Sequence, residues 1–465
     1  MKNKKARDRE PVAEPRPPLG GIGGARRSSD AATFRSQEVS VRLMSRDSLS
    51  LRLILAVAVC TASVLFPAGA WGGTEKVLYS FKGGSDAANP QSPLTFDKTG
   101  NIYGTTSSGG RAAACSYSGG CGAVFKLAPS ARGWNETLIY SFKGGTDGRA
   151  SFTGVIFDNE GNLYGATASD GDPGCYSAGE GQGCGAVFKL TPSGDRWKER
   201  TLITFKDDEG GGTSGPLALD AKGNLYGSNR WGGLAGCYFG CGTVFELSPV
   251  GDRWTYTSLY AFTDGSDGAN PLSGQLLRDG KLYGATSPPS PYGLGGVFEL
   301  KYSKETGWTE STLYSFTGGD DGYNPYAGTV FDAAGNIYGT AAFGGSGGGG
   351  TVFKLSPSAD GWTQTTLYPF TGGSDGGQPQ ANLTLDKAGN IYGTTGLGGL
   401  GYGVVFELVN SGGSYTYKNL YTFTGGSDGA NPSSPGGLSL RDGKLYGTTP
   451  SGGAYGYGVV FEITP

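Results

Sequence analysis

Histidine is absent from all 465 residues. Its absence excludes the Ser-His-Asp and Cys-His systems, which need an imidazole base, and it excludes His-ligated metals. Methionine occurs only at Met1 and Met44. Long apolar runs are missing as well: Leu53 to Phe66 has roughly 14 residues, short of the ~20 that a membrane helix needs. A basic excess is also lacking. The chain has 37 Lys+Arg against 40 Asp+Glu. The first 70 residues hold 12 of the basic and 6 of the acidic groups, which leaves 25 basic and 34 acidic, a net of −9. An acidic chain without a basic stripe argues against nucleic acid as a partner.

The N-terminal region reads as two segments that precede the fold. Residues 1–43 are rich in Arg, Pro, Gly and Ser without hydrophobic periodicity, so they are expected to be a disordered extension. From Met44 the pattern is that of a signal peptide. Arg46 and Arg52 form the charged region, Leu53 to Phe66 the apolar region, and Ala68-Gly69-Ala70 the small-residue cleavage site. Residues 44–70 are therefore expected to be removed, with Trp71 at the mature N-terminus. Val59 stands before Cys60 where a lipid-attachment sequence wants a small residue. The expectation is a secreted or periplasmic protein, free of the membrane after signal cleavage, with no cofactor or metal and with a monomeric state.

Glycine is abundant, at 88 residues, and much of it belongs to a repeat. Asn101-Ile102-Tyr103-Gly104-Thr105-Thr106 has six further versions, centred on Tyr164, Tyr226, Tyr283, Tyr338, Tyr392 and Tyr446. The tyrosines are spaced by 61, 62, 57, 55, 54 and 54 residues. A near-constant period of this size signals a solenoid, a propeller or an array. Each repeat reads as four short strands, exemplified by Leu94–Asp97, Ile102–Thr105, Ala123–Leu127 and Leu138–Phe142. An Asp-initiated turn with Gly near its end joins the first two. In two repeats that turn tightens to Arg278-Asp279-Gly280-Lys281 and Arg441-Asp442-Gly443-Lys444, a two-residue hairpin signal. Trp134, Trp197, Trp254, Trp308 and Trp362 precede the fourth strand and are read as packing between repeats.

The chain ends decide the architecture. Beyond residue 70 the chain begins with a fourth-type strand, Val77–Phe81, and finishes with a third-type strand, Val459–Ile463. The N-terminal strand is thus the missing outer strand of the last repeat, and a ring closed in this way has no open edge. The expected fold is all-β: residues 71–465 form a seven-bladed β-propeller of four-stranded antiparallel blades. Strand parity puts the loops after strands two and four on one face. That face carries the long variable loops and the Gly-Gly-Ser-Asp-Gly-Ala-Asn-Pro segments. The other carries tight turns and the linkers around the tryptophans.

The Gly-Asn-Ile/Leu-Tyr-Gly-Thr-Thr, Val-Phe-Lys/Glu-Leu and Leu-Tyr-Ser-Phe motifs resemble the GloVer-type tandem repeats of exported bacterial proteins. The Phe96-Asp97 to Ile102-Tyr103 hairpin is similar to NHL-type propeller repeats. The resemblance spans residues 75–465. It implies a propeller and export, and it carries over no catalytic residue.

Six cysteines lie beyond residue 70, in three close pairs: Cys115/Cys121, Cys175/Cys184 and Cys237/Cys241. They occupy equivalent loops of three successive repeats, so local disulfides are expected in an oxidising compartment. An acid recurs in the loop after each fourth strand: Asp86, Asp147, Asp267, Asp321, Asp375 and Asp428, with Asp207-Asp208-Glu209 in the third repeat. A ring of carboxylates could bind cations, but the simpler reading is an Asx-type turn needed in every blade. Positions that break the repeat are better ligand candidates. These are Asn229, Arg230 and Trp231; Arg149; Asp170, Asp172 and Tyr176; and Tyr238 and Tyr323. Tyr117, Phe239, Tyr402, Tyr455 and Tyr457 lie in loops of the same face. Rings beside Asp, Asn and Arg suit sugar recognition by apolar contact and hydroxyl hydrogen bonds. The expected partner is an extracellular glycan or other polymer. A carboxylate-dependent polysaccharide hydrolase or lyase and a protein-interaction module remain as alternatives.

Overall fold

The computed structural model describes residues 72–465 apart from 113–114, 116–118, 173, 176–182, 214, 234–236, 238–239, 273, 275, 288–293 and 433–435. The chain divides into two compact units, Met1–Leu65 and Phe66–Pro465. The first lies outside the described residues, and so do the expected extension 1–43 and signal segment 44–70.

Seven antiparallel sheets account for the repeats. In the first blade the strands are Thr95–Phe96, Ile102–Gly109, Ala123–Ser130 and Gly133–Ser141, each paired to the next. The last blade comprises Ser439–Arg441, Lys444–Thr449 and Val459–Thr464, completed by Thr74–Ser80. The chain ends thus share one sheet, and the ring is closed as the repeat order requires. The first strands are mostly only two or three residues long. In two blades an extra strand, Ala87–Pro90 or Gly211–Thr213, pairs with the far end of the second strand. Single bridges such as Arg149↔Ser169 and Ala430↔Ser451 do this in other blades.

One expectation needs correction. The tryptophans do not lie in linkers between the third and fourth strands. The fourth strand begins before them: Trp134 pairs with Pro129 inside a hairpin whose turn is closed by Ser130↔Gly133. The short turn leaves no linker, and the fourth strand is nine residues long. The rings do pack between blades, as in Trp197 against Tyr103 and Trp254 against Tyr164.

The core is a ring of phenylalanines. The Phe directly after each fourth strand meets edge-to-face the Phe of the next blade's third strand. The pairs are Phe81–Phe125, Phe142–Phe188, Phe205–Phe245, Phe262–Phe298, Phe316–Phe353, Phe370–Phe406 and Phe423–Phe461, with centroids 5.1–5.2 Å apart. Edge-to-face pairs contribute about 0.5–1.5 kcal/mol each beyond burial. The glycine of the Tyr-Gly motif makes room for these rings. Gly104 lies opposite Phe125 in the ladder, and a Cβ there would stand 2.6 Å from the ring. Gly165, Gly227, Gly339, Gly393 and Gly447 stand under their phenylalanines in the same way.

Candidate functional site

The loops after strands two and four share one face of the ring, and the recurring aspartates lie there. Their carboxylates are committed to the fold. Asp86 accepts from the Tyr79 hydroxyl at 3.0 Å and from the Lys82 amide at 2.9 Å. Asp147, Asp267, Asp321, Asp375 and Asp428 repeat the arrangement with Tyr140, Tyr260, Tyr314, Tyr368 and Tyr421. Burial, together with the adjacent carboxylate, pushes these phenols well above their ordinary range. In the third blade Glu209 takes the place of the Asp and accepts from the Lys206 amide. The turn reading therefore accounts for the ring of acids.

The residue before the Asn-Pro proline has a second task. Asn89, Asn270, Asn324, Gln378 and Asn431 all have φ between 47° and 59°. In that left-handed conformation the amide of each reaches the preceding blade. The acceptors are the carbonyls of Tyr457, Cys241, Leu294, Gly349 and Tyr402, at 2.7–3.0 Å. Asn tolerates positive φ better than most residues, which explains its recurrence.

The sequence-predicted residues fall into separate places. Arg149 and Asp170 form an ion pair at 3.2 Å, with both side chains largely buried. Asn229 is fully buried; it accepts from Thr213 Oγ1 at 2.6 Å and donates to the Glu209 carbonyl at 3.0 Å. Arg230 lies over the Trp231 ring, 5.1 Å from its centre, and that ring packs on Gly212. Asp172 caps its own turn by accepting from the Gly174 amide. Tyr323 stacks on Phe343 in the fifth blade. Tyr176 and Tyr238, like Tyr117 and Phe239, lie outside the described residues. Asn229 is buried, and Arg149 and Asp170 pair with one another, which a one-dimensional pattern cannot show. The three disulfides pair as expected: Cys115–Cys121, Cys175–Cys184 and Cys237–Cys241. Asp207 approaches the second of them, but bridged sulfurs are not thiolate ligands.

A surface pocket of about 450 Å³ opens where the last blade meets the first. Its wall includes Tyr457 from the last blade and Asn89, Ser108, Gly84 and Gly120 from the first. The Tyr457 ring lies on Gly83, where a Cβ would stand 2.7 Å from it, and it remains 44% exposed. Asn89 Nδ2 donates to the Pro450 carbonyl at 2.8 Å, and Ser108 Oγ donates to Asn89 Oδ1. Among the described residues that line it none is charged. Asn89 and Ser108 were not among the sequence-predicted positions. The available signal was alignment of the repeats: Tyr457 stands directly before Gly458, where Cys121 stands before Gly122.

Carboxyls on the outer strands titrate unusually. Burial, then the nearby Asp428, pushes Glu75 up to about 7. Burial, then Asp86, does the same for Glu136, against the opposing pull of Arg111 and Lys82. Asp97 goes the other way. Its partial burial is outweighed by bonds from Asn101, Thr99 and Tyr103, which hold it at about 2. The signs oppose. Below pH 4.5 the two glutamates are protonated whether folded or not. As pH rises from 4.5 to 7 they ionise more readily in the unfolded chain, so stability falls. The Asp97 contribution is complete above pH 3.8 and is lost as pH falls towards 2. The melting temperature should therefore be higher at pH 5 than at pH 8. A Glu75→Gln/Glu136→Gln variant should show a smaller difference between those two values in a thermal melt series. An unchanged difference would remove these glutamates as its cause.

Among the described residues no helix is long and apolar enough to cross a membrane. No curated protein matches the chain. Solved structures are similar at low identity. A Dyadobacter fermentans protein of unknown function is 12% identical, with TM-score 0.42, over 84% of this chain and 99% of its own. A polysaccharide lyase, the PL25 ulvan lyase bound to a GlcA–Rha3S ligand, is 11% identical, with TM-score 0.45, over 80% of this chain and 90% of its own. The Gloeobacter/Verrucomicrobia repeat model matches residues 117–328 and 277–465, well over half the chain, and the protein belongs to that repeat family.

Proposed function

We propose that this chain is an exported, non-catalytic recognition module that binds a glycan or other extracellular polymer on its loop face. The observation that carries this reading is the pocket at the closing seam. There a half-exposed tyrosine ring stands beside an amide and a hydroxyl, with no charged side chain among the described lining residues. An aromatic face shields the apolar face of a sugar ring, while amide and hydroxyl groups match its hydroxyls. The signal-like segment 44–70 and the three disulfides support an oxidising, extracytoplasmic setting. Commitment of the six recurring aspartates to turns and tyrosines leaves them unsuited to acid–base work.

The test is binding of the purified protein to cellulose, chitin, xylan and mannan, with released reducing sugar assayed in the same wells. Saturable binding without release is expected. Tyr457→Ala should weaken it by about tenfold or more, the scale of a lost ring contact of ~1–2 kcal/mol, with the melting temperature little changed. Sugar release would favour the hydrolase or lyase reading. Absence of both binding and release would turn the search to protein partners.

A further inference from the structure

The arrangement around Tyr457 occurs a second time, one blade earlier. The Tyr402 ring lies on Gly425, where a Cβ would stand 2.5 Å from it, as Tyr457 lies on Gly83. Tyr402 is 42% exposed, close to the 44% of Tyr457. Its carbonyl accepts from the Asn431 amide at 2.8 Å, as the Tyr457 carbonyl accepts from Asn89 at 3.0 Å. Ser451 Oγ donates to Asn431 Oδ1 at 3.4 Å, as Ser108 donates to Asn89. Asn431 Nδ2 meets the Gly396 carbonyl at 2.9 Å, as Asn89 meets that of Pro450. The same Tyr–Asn–Ser set thus stands at two successive seams, built from equivalent repeat positions.

The other blades fill the tyrosine position differently. Cys121, Cys184 and Cys241 occupy it in the first three, each in a disulfide. Leu294 lies there in the fourth blade and Gly349 in the fifth. Covering a seam therefore does not require an exposed ring, since a disulfide or a leucine serves. Two adjacent blades carry one nonetheless, and Leu397, Leu400 and Tyr455 are exposed in the same two loops.

We propose that the Tyr402–Asn431–Ser451 and Tyr457–Asn89–Ser108 sets are two equivalent subsites for sugar rings, so that the ligand is an extended, uncharged polysaccharide chain crossing both seams rather than a single sugar. This rests on the reading of the Tyr457 pocket as a glycan site. The described residues lining that pocket carry no charge, which matches an uncharged chain. Serine oxygens that donate their one proton inward still accept from ligand hydroxyls. A chain seated in one subsite presents its next units to the other at high effective concentration, so affinity rises with length until both are filled.

The experiment titrates the purified protein with cello-, chito-, xylo- and manno-oligosaccharides of one to eight units, by calorimetry. In at least one series the octamer should bind about tenfold or more tightly than the dimer. Tyr402→Ala and Tyr457→Ala should each abolish that gain, leaving the octamer bound no more tightly than the dimer. Tyr402→Phe, which keeps the ring, should retain the gain and so guards against a folding defect in the alanine variant. Length-independent affinity, or a Tyr402→Ala protein that still gains with length, would overturn the two-subsite inference and leave the single-pocket reading standing. Absence of binding in every series would overturn both.

Discussion

Deletion of residues 72–81 should abolish cooperative folding of the propeller. The strand Thr74–Ser80 is the outer strand of the last blade, paired along Val459–Thr464. Without it that strand becomes an open edge, with its amides and carbonyls exposed to other chains. The deletion also removes buried Leu78 and Phe81, and with Phe81 one of the seven phenylalanine pairs. A closed ring has no redundancy here, because each blade is packed on both sides. The expected result is an aggregating protein without a single sharp melting transition, seen by circular dichroism and size-exclusion chromatography. Grafting residues 72–81 beyond Pro465 through a flexible linker should restore the transition, since the strand would reach the same edge from the other end. A deletion variant melting within a few degrees of the parent would show that the closing strand is dispensable.

Phe406→Ala should cost about 3–5 kcal/mol, the range for deleting a large buried aromatic. Phe406 is fully buried. It meets Phe370 edge-to-face at 5.1 Å and stacks on Tyr417 at 6.3 Å. Its ring lies on Gly393, and the same glycine is held close by Leu383. The converse change, Gly393→Ala, puts a methyl 2.5 Å from that ring and should cost about 1–3 kcal/mol through overpacking. The two effects are coupled: in Gly393→Ala/Phe406→Leu the smaller side chain relieves the clash, so the combined loss should be less than the sum of the single losses. Urea denaturation of the parent, Gly393→Ala, Phe406→Leu and the double variant measures this. Strict additivity would mean that the glycine is required for something other than the ring.

The Tyr-Gly motif shows how far a linear reading reaches. Its sevenfold recurrence is legible in the chain, and so is its place in a second strand. The reason for its glycine is not, because the ring above it belongs to the next strand, 13 to 23 residues later. The tryptophans show the converse error. A residue before an apolar strand looked like part of a linker, but the two-residue hairpin turn extended the strand through it.

The candidate site divides in the same way. Sequence alone determined the number of blades, the strand order, the closure by the N-terminal strand and the local cysteine pairing. Each of these depends on period-two patterns, on spacing or on the order of chain ends, all of which are one-dimensional properties. Tertiary structure decided what the side chains are used for. It committed the recurring aspartates to tyrosines seven residues back. It buried Asn229 and paired Arg149 with Asp170. It brought Asn89 to the last blade's Pro450 carbonyl, 361 residues away in sequence, and so built a pocket beneath Tyr457. The physical reason is that a seam between blades joins two repeats, and its last copy joins the two ends of the chain. Only closure of the ring determines which loop covers which neighbour.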